Sequence, residues 1–212
     1  METIRTAVLA LSLALVAPVL QAKEVAPDAV LSSVTTEVIA TLKQYKDLAE
    51  NPAKVAELIE KKVVPIFDFS RMTQLATARN WRHASAAQQN ALTAEFKKLL
   101  VRSYSTALAS YCDQVIAYKP LRWEPRDTDA TVRSEVRQGA GVLTIDYAMV
   151  KTADGWKVYG VKIDNVSLVT AYREGFAAKV RDAGVDGLIR ALAEKNREAL
   201  SSSRPAMAVA GG

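Results

Sequence analysis

The chain has 212 residues, half of them hydrophobic and 24% charged, with a formal net charge of +5. That supports a real core in one medium domain or a tight pair of small ones. Its single cysteine, Cys112, excludes an internal disulfide, and no Lys/Arg cluster is dense enough to point to nucleic acid. The mild positive charge reads first as solubility and second as a bias toward anionic lipid surfaces or acidic partners.

Residues 1–22 form a secretory signal peptide: Arg5 near the start, an apolar run from Ala7 to Leu20, and Ala22 before polar Lys23-Glu24. Cleavage is expected after Ala22; an uncleaved membrane anchor is the alternative, although Pro18 interrupts the run. Removing this leader takes away one Arg and one Glu and leaves the net charge unchanged. Residues 23–200 then make a single domain, and residues 201–212, rich in Ser, Ala and Gly, a disordered tail.

An amphipathic helix is expected over 27–50, with Val30, Val34, Val38, Leu42 and Tyr45 on one stripe. Asn51-Pro52 breaks it and starts another, carrying Val55, Leu58, Ile59 and Val63. Pro65 ends that helix, and Asp68 or Ser70 caps a short third one through Met72 and Leu75. Ser85 followed three residues later by Gln88 is a capping box. It opens a long helix to about residue 111, with Leu92, Phe96, Leu99, Leu100, Tyr104 and Leu108 on one side, expected to lie across a sheet as its main cover.

Strands follow. Residues 114–119 read as the first, and 129–138 as the second, where Ala130, Val132, Ser134 and Val136 alternate with Thr131, Arg133, Glu135 and Arg137. Next comes a hairpin: Leu143, Ile145, Tyr147 and Met149 share a face of its first strand, and Asp154-Gly155 makes the turn. In its second strand Lys157, Tyr159, Val161 and Ile163 alternate with Trp156 and Val158. Val166, Val169, Tyr172, Arg173 and Phe176 recur at helical spacing, so a helix is expected almost directly after it. That helix ends near Ala183-Gly184, and a last one runs from 186 to 200. The class is α+β: a twisted antiparallel meander of four to five strands covered by several helices.

Chemistry-bearing motifs are few. There is one histidine, His83, with no serine or cysteine placed beside it by any motif, and no phosphate loop, GxSxG, HExxH or metal-ligand spacing. His83 reads as a surface histidine before a catalytic one. Asp146, Asp154 and Asp164 lie in or beside strands, which alone does not make a carboxylate pair. The chain is therefore read as a non-enzyme needing no metal or cofactor. A small-molecule enzyme and an interaction module with a solid core remain as alternatives. Arg82 and Arg173 each follow a large aromatic; ion pairing is their ordinary role and phosphate contact at a cavity mouth the functional one.

An ordered series of segments resembles the MlaC-type periplasmic phospholipid carriers, the toluene-tolerance (Ttg2/MlaC) family. It comprises Ile66-Phe67-Asp68-Phe69 with Met72, Trp81-Arg82, and Gln88 ahead of Phe96, Leu99-Leu100-Val101-Arg102 and Tyr104. Tyr147, Gly155-Trp156-Lys157-Val158-Tyr159, Val166-Ser167-Leu168-Val169, Tyr172-Arg173 and Phe176 complete it. Ala78 and Asn165 stand where that family usually has glycine, Gly160 where it has aspartate and Ala171 where it has asparagine.

The resemblance implies a soluble protein of the Gram-negative periplasm that shuttles phospholipid between outer and inner membranes and so maintains outer-membrane asymmetry and organic solvent tolerance. Its implied partners are an inner-membrane MCE-type transporter complex (MlaD of MlaFEDB) and the outer-membrane lipoprotein MlaA with a porin. Acyl chains would sit in an apolar lipid cavity between sheet and helices. Phe67, Phe69, Met72, Phe96, Leu100, Tyr104, Tyr147, Val161, Ile163, Val166 and Leu168 would line it. Arg82 and Arg173 would meet the head group. Such a site needs no motif, because each buried CH₂ contributes ~0.8 kcal/mol. Two chains of ~16 carbons amount to roughly 25 kcal/mol gross, before ordering costs are subtracted.

Overall fold

The computed structural model describes residues 25–45, 51–110, 114–138 and 141–202. Among them are five α-helices and one five-stranded antiparallel sheet, the α+β class read from the sequence. The leader at 1–22 and Cys112 lie outside the described residues, as do 203–212; Ser201 and Ser202 continue the last helix.

Helix starts are set by side chains that satisfy first-turn amides. α1 spans Pro27–Gln44 with proline in its first turn. α2 spans Pro52–Lys62, and Asn51 Oδ1 accepts from the amides of Ala53 (3.1 Å) and Lys54 (3.3 Å). A 3-10 turn over Val64–Ile66 follows. α3, Phe69–Thr77, is capped by Asp68, which accepts from the Arg71 amide at 2.9 Å. α4, Ala86–Ser110, opens on the capping box: the Gln88 amide donates to Ser85 Oγ (3.2 Å) and the Ser85 amide to Gln88 Oε1 (2.9 Å).

The strands are β1 Ile116–Tyr118, β2 Asp129–Gln138, β3 Gly141–Thr152, β4 Gly155–Ile163 and β5 Val166–Ser167, each antiparallel to the next. Two features depart from the simple alternation. Ala148 pairs with Gly160 but Met149 with Val158, so Tyr159 is an extra, bulged residue. The covered face of β4 therefore switches phase, from Trp156 and Val158 to Val161 and Ile163, and Tyr159 leaves the apolar set. Its ring instead lies under the Arg71 guanidinium, 3.9 Å from the centroid. Second, Val166 is not helical. Asp164 (φ 46°) and Asn165 (φ 66°) make a tight turn, and Val166 pairs with Ile163 on β5. A 3-10 turn at Thr170–Tyr172 precedes α5, Arg173–Ser202. α5 breaks at Gly184 (φ 69°), at the boundary the sequence places between two helices.

The layers also differ from expectation. α4 packs against α2, α3 and α5 and not as the main cover of the sheet. Its apolar stripe is occupied by the helical core, where Leu92, Phe96, Leu99 and Leu100 are buried with Met72, Phe176 and Leu188. The sheet is met by α1 and by the segment leading into α3.

Both positions where the resembling family usually carries glycine have positive φ: Asn165 at 66° and Ala78 at 50°. Asparagine tolerates this region, but Ala78 combines φ 50° with ψ −124°, a conformation suited to glycine. We expect Ala78→Gly to raise stability by about 1 kcal/mol through relief of this strain. Urea unfolding midpoints measure it, and a lowered midpoint would contradict the strained backbone.

Candidate functional site

The covered face of the sheet is built by alternation. On β2, Val132, Ser134 and Val136 are buried while Thr131, Arg133 and Arg137 are exposed. Met149 from β3 and Trp156, Val158 and Val161 from β4 join Val132 in one apolar cluster, with Leu31 of α1. Ile145, Tyr147, Ile163 and Leu168 fringe it and are only partly buried.

A second cluster belongs to the helices. Phe96 is fully buried at its centre, edge-on to Tyr172 (5.1 Å) and Phe176 (5.2 Å). A third, smaller cluster of Leu42, Val55 and Ile59 ties α1 to α2. Phe67 touches both large clusters and stacks on Phe69 at 5.8 Å.

Two joins between the layers fall along β4, and Arg71 of α3 adds a 3.3 Å contact to Asp129 at the start of β2. The Asp68 amide donates to the Val158 carbonyl (2.8 Å), and Lys157 Nζ to the Pro65 carbonyl (2.7 Å). After β5 the chain crosses over, with Leu168 in the sheet cluster and Val169 in the helical one. At the other edge α1 closes on β1 through a 2.7 Å hydrogen bond between Thr35 Oγ1 and the Tyr118 hydroxyl.

The eleven residues singled out as lipid-lining thus divide. Met72, Phe96 and Leu100 are buried in the helical core, with Phe69 and Tyr104 on its fringe. Tyr147, Val161, Ile163 and Leu168 belong to the sheet cluster, and Phe67 spans both. Val166 is 63% exposed at the sheet edge, on the end of a strand and not on a helix face. Arg82 is exposed on the 3-10 turn over Ala78–His83. Arg173 is exposed as well, and donates Nε (3.3 Å) and Nη2 (3.0 Å) to the Leu75 carbonyl in the last turn of α3.

Sequence reading passed over Thr35 and Tyr118 and took Ser134 only as a member of the β2 alternation. The signal for Ser134 was its phase on β2, which places a hydroxyl in an otherwise apolar row. That hydroxyl has no hydrogen-bond partner. Burial pushes the Tyr147 phenol above its ordinary pKa and that of Tyr118 up to about 12.

On the opposite face Arg133 grips Asp146 with two bonds (2.6 and 3.1 Å), and that hydrogen bonding holds the Asp146 carboxyl below its usual range against the opposing effect of burial. Asp164 accepts from the Thr144 amide at 3.0 Å. These acids therefore serve structural bonds, and His83 is exposed. No cluster among the described residues has the donors to hold a metal, and no described helix is long and apolar enough to cross a membrane. Two surface hollows, of about 510 Å³ beside Leu121–Asp127 and about 360 Å³ beside Glu60 and Lys97, are lined mostly by polar and charged residues, and the first borders the sheet cluster at Leu121 and Trp123.

The profile of a family described as MlaC protein matches residues 32–194. The chain is 23% identical over 171 residues to the toluene tolerance protein ttg2D of Pseudomonas putida, covering 80% of each chain. It is also similar to a solved phospholipid-binding protein of Ralstonia solanacearum in complex with a phospholipid. That match has TM-score 0.75 and 38% identity, over 82% of this chain and 98% of the other.

Core and fringe should respond differently to truncation. Phe96→Ala empties a filled core and is expected to cost about 3–5 kcal/mol, whereas Ile163→Ala at the partly buried fringe should cost about 1 kcal/mol in delipidated protein. Chemical unfolding of the two variants measures this. Equal, large losses would show that the sheet face is as tightly filled as the helical core.

Proposed function

Because the chain belongs to the MlaC protein family, whose profile spans nearly all of its described part, we propose that it is a periplasmic carrier that holds phospholipid acyl chains between sheet and helices. It moves lipid between the outer and inner membranes of a Gram-negative envelope. The observation that carries this reading is the division of the apolar interior into a helical cluster and a sheet cluster, joined along one edge and fringed by half-buried Phe67, Tyr147, Ile163 and Leu168. A continuous core would bury those side chains against one another; a divided one leaves apolar surface for acyl chains to cover. The phospholipid held by the Ralstonia solanacearum protein supports the choice of ligand.

In this reading Val161, Ile163 and Leu168 line the lipid on the sheet side, and Phe67, Phe69 and Tyr104 on the helix side. Met72, Phe96 and Leu100 back the helix wall, and Val166 forms the rim. Arg82 and Arg173 remain the candidates for head-group phosphate, as exposed cations at the end of α3. Exchange takes place with an MCE-type inner-membrane transporter and an outer-membrane lipoprotein–porin complex. Direction is set by those partners, since a carrier that only binds cannot bias an equilibrium.

Native mass spectrometry of protein purified from a Gram-negative periplasm should show a co-purifying phospholipid. Ile163→Trp, which fills the sheet side of the site, should lower that occupancy severalfold with an unchanged circular dichroism spectrum. A homogeneous lipid-free mass for the wild type under gentle conditions would refute the carrier reading.

A further inference from the structure

We infer that Ser134 and Tyr147 form a hydrogen-bonding station for an ester carbonyl of the bound phospholipid, which sets its depth and favours ester-linked over ether-linked cargo. This rests on the carrier reading above.

Ser134 is 0% exposed and its Oγ has no partner. It sits on the covered face of β2 between Val132 and Val136, with Tyr118 across on β1 and Ile145 across on β3. The Tyr118 hydroxyl is committed to Thr35. Tyr147 pairs with Val132, one diagonal step from Ser134, and the serine hydroxyl is near enough to its phenol to act against the rise that burial causes. Two neutral hydroxyls thus stand together in an otherwise apolar wall. A buried donor left unpaired is unfavourable, and native proteins keep one where something else satisfies it.

The chemistry of that acceptor follows from the surroundings. Ser134's cross-strand and same-face neighbours are Val132, Val136, Tyr118 and Ile145, with no cation among them, so a phosphate is a poor match and an uncharged carbonyl oxygen a good one. Position agrees. Tyr118, Ser134, Ile145, Ile163 and Val166 form one cross-strand row over all five strands, and the row ends on exposed Val166. A lipid whose glycerol lies at this level has its chains running toward Met149, Val158 and Trp156 and its head group toward the open rim. Trp156 Nε1, the other unpartnered buried polar atom among the described residues, lies at the opposite end of β4.

The test loads delipidated full-length protein with equal amounts of a diester phosphatidylglycerol and its chain-matched diether analogue, and reads the bound ratio by native mass spectrometry. The wild type should prefer the ester by about fivefold, the size of one hydrogen bond. Ser134→Ala and Tyr147→Phe should each move the ratio toward one. Equal binding of both lipids by the wild type, or an unchanged preference in both variants, would each overturn the station while leaving the carrier reading intact. Binding of neither lipid by the wild type would overturn the carrier reading and the station with it.

Discussion

The structure turns on where the long helix spends its apolar stripe. α4 is the natural candidate to cover a sheet, yet Leu92, Phe96, Leu99 and Leu100 are taken up by α3, α5 and the Tyr172–Phe176 aromatic group. A side chain can bury its surface only once. The sheet face is left to α1, to the Phe67 segment and to whatever else can cover it. Because the main-chain joins run along β4 and β5, the two layers behave as leaves fixed at one margin. At the other margin α1 packs Leu31 into the sheet cluster, and Thr35 adds a hydroxyl contact to Tyr118.

Polarity is distributed to match. Charges on the sheet lie on its outer face, where Arg133 with Asp146 and Lys119 with Glu135 pair in solvent. Such exposed pairs contribute little stability but keep that face wet. The covered face holds buried phenols and one serine hydroxyl and no charged group in its apolar row. A carrier of acyl chains requires area more than chemistry, which accounts for the scarcity of reactive motifs in a chain that still folds with well-made caps, a regular meander and a dense helical core.

Much of this was legible beforehand. The Asn51, Asp68 and Ser85–Gln88 caps act through local hydrogen bonds, so sequence shows them directly, and β2 was read to the residue because its alternation is unbroken. What escaped was non-local. Val166, Val169 and Tyr172 satisfy a helical period by chance across a turn, a two-residue strand and a 3-10 turn, and only pairing with Ile163 reveals β5. The Tyr159 bulge depends on how β4 registers against β3. The partner of α4 was misjudged because an apolar stripe says that a face is covered but not by which layer. The lining set mixed core with fringe for the same reason: Phe96 and Phe67 look alike in sequence and differ in what surrounds them. The substitutions Ala78 and Asn165, noted at glycine positions of the resembling family, gained meaning once both showed positive φ.

The most direct measurement is an experimental structure of the protein purified with its native ligand and never delipidated. The account predicts acyl-chain density between the sheet cluster of Met149, Val158 and Val161 and the helical cluster of Phe96. If Phe67, Tyr147, Ile163 and Leu168 instead close on one another into a single continuous core, with no density between the layers, the account is contradicted.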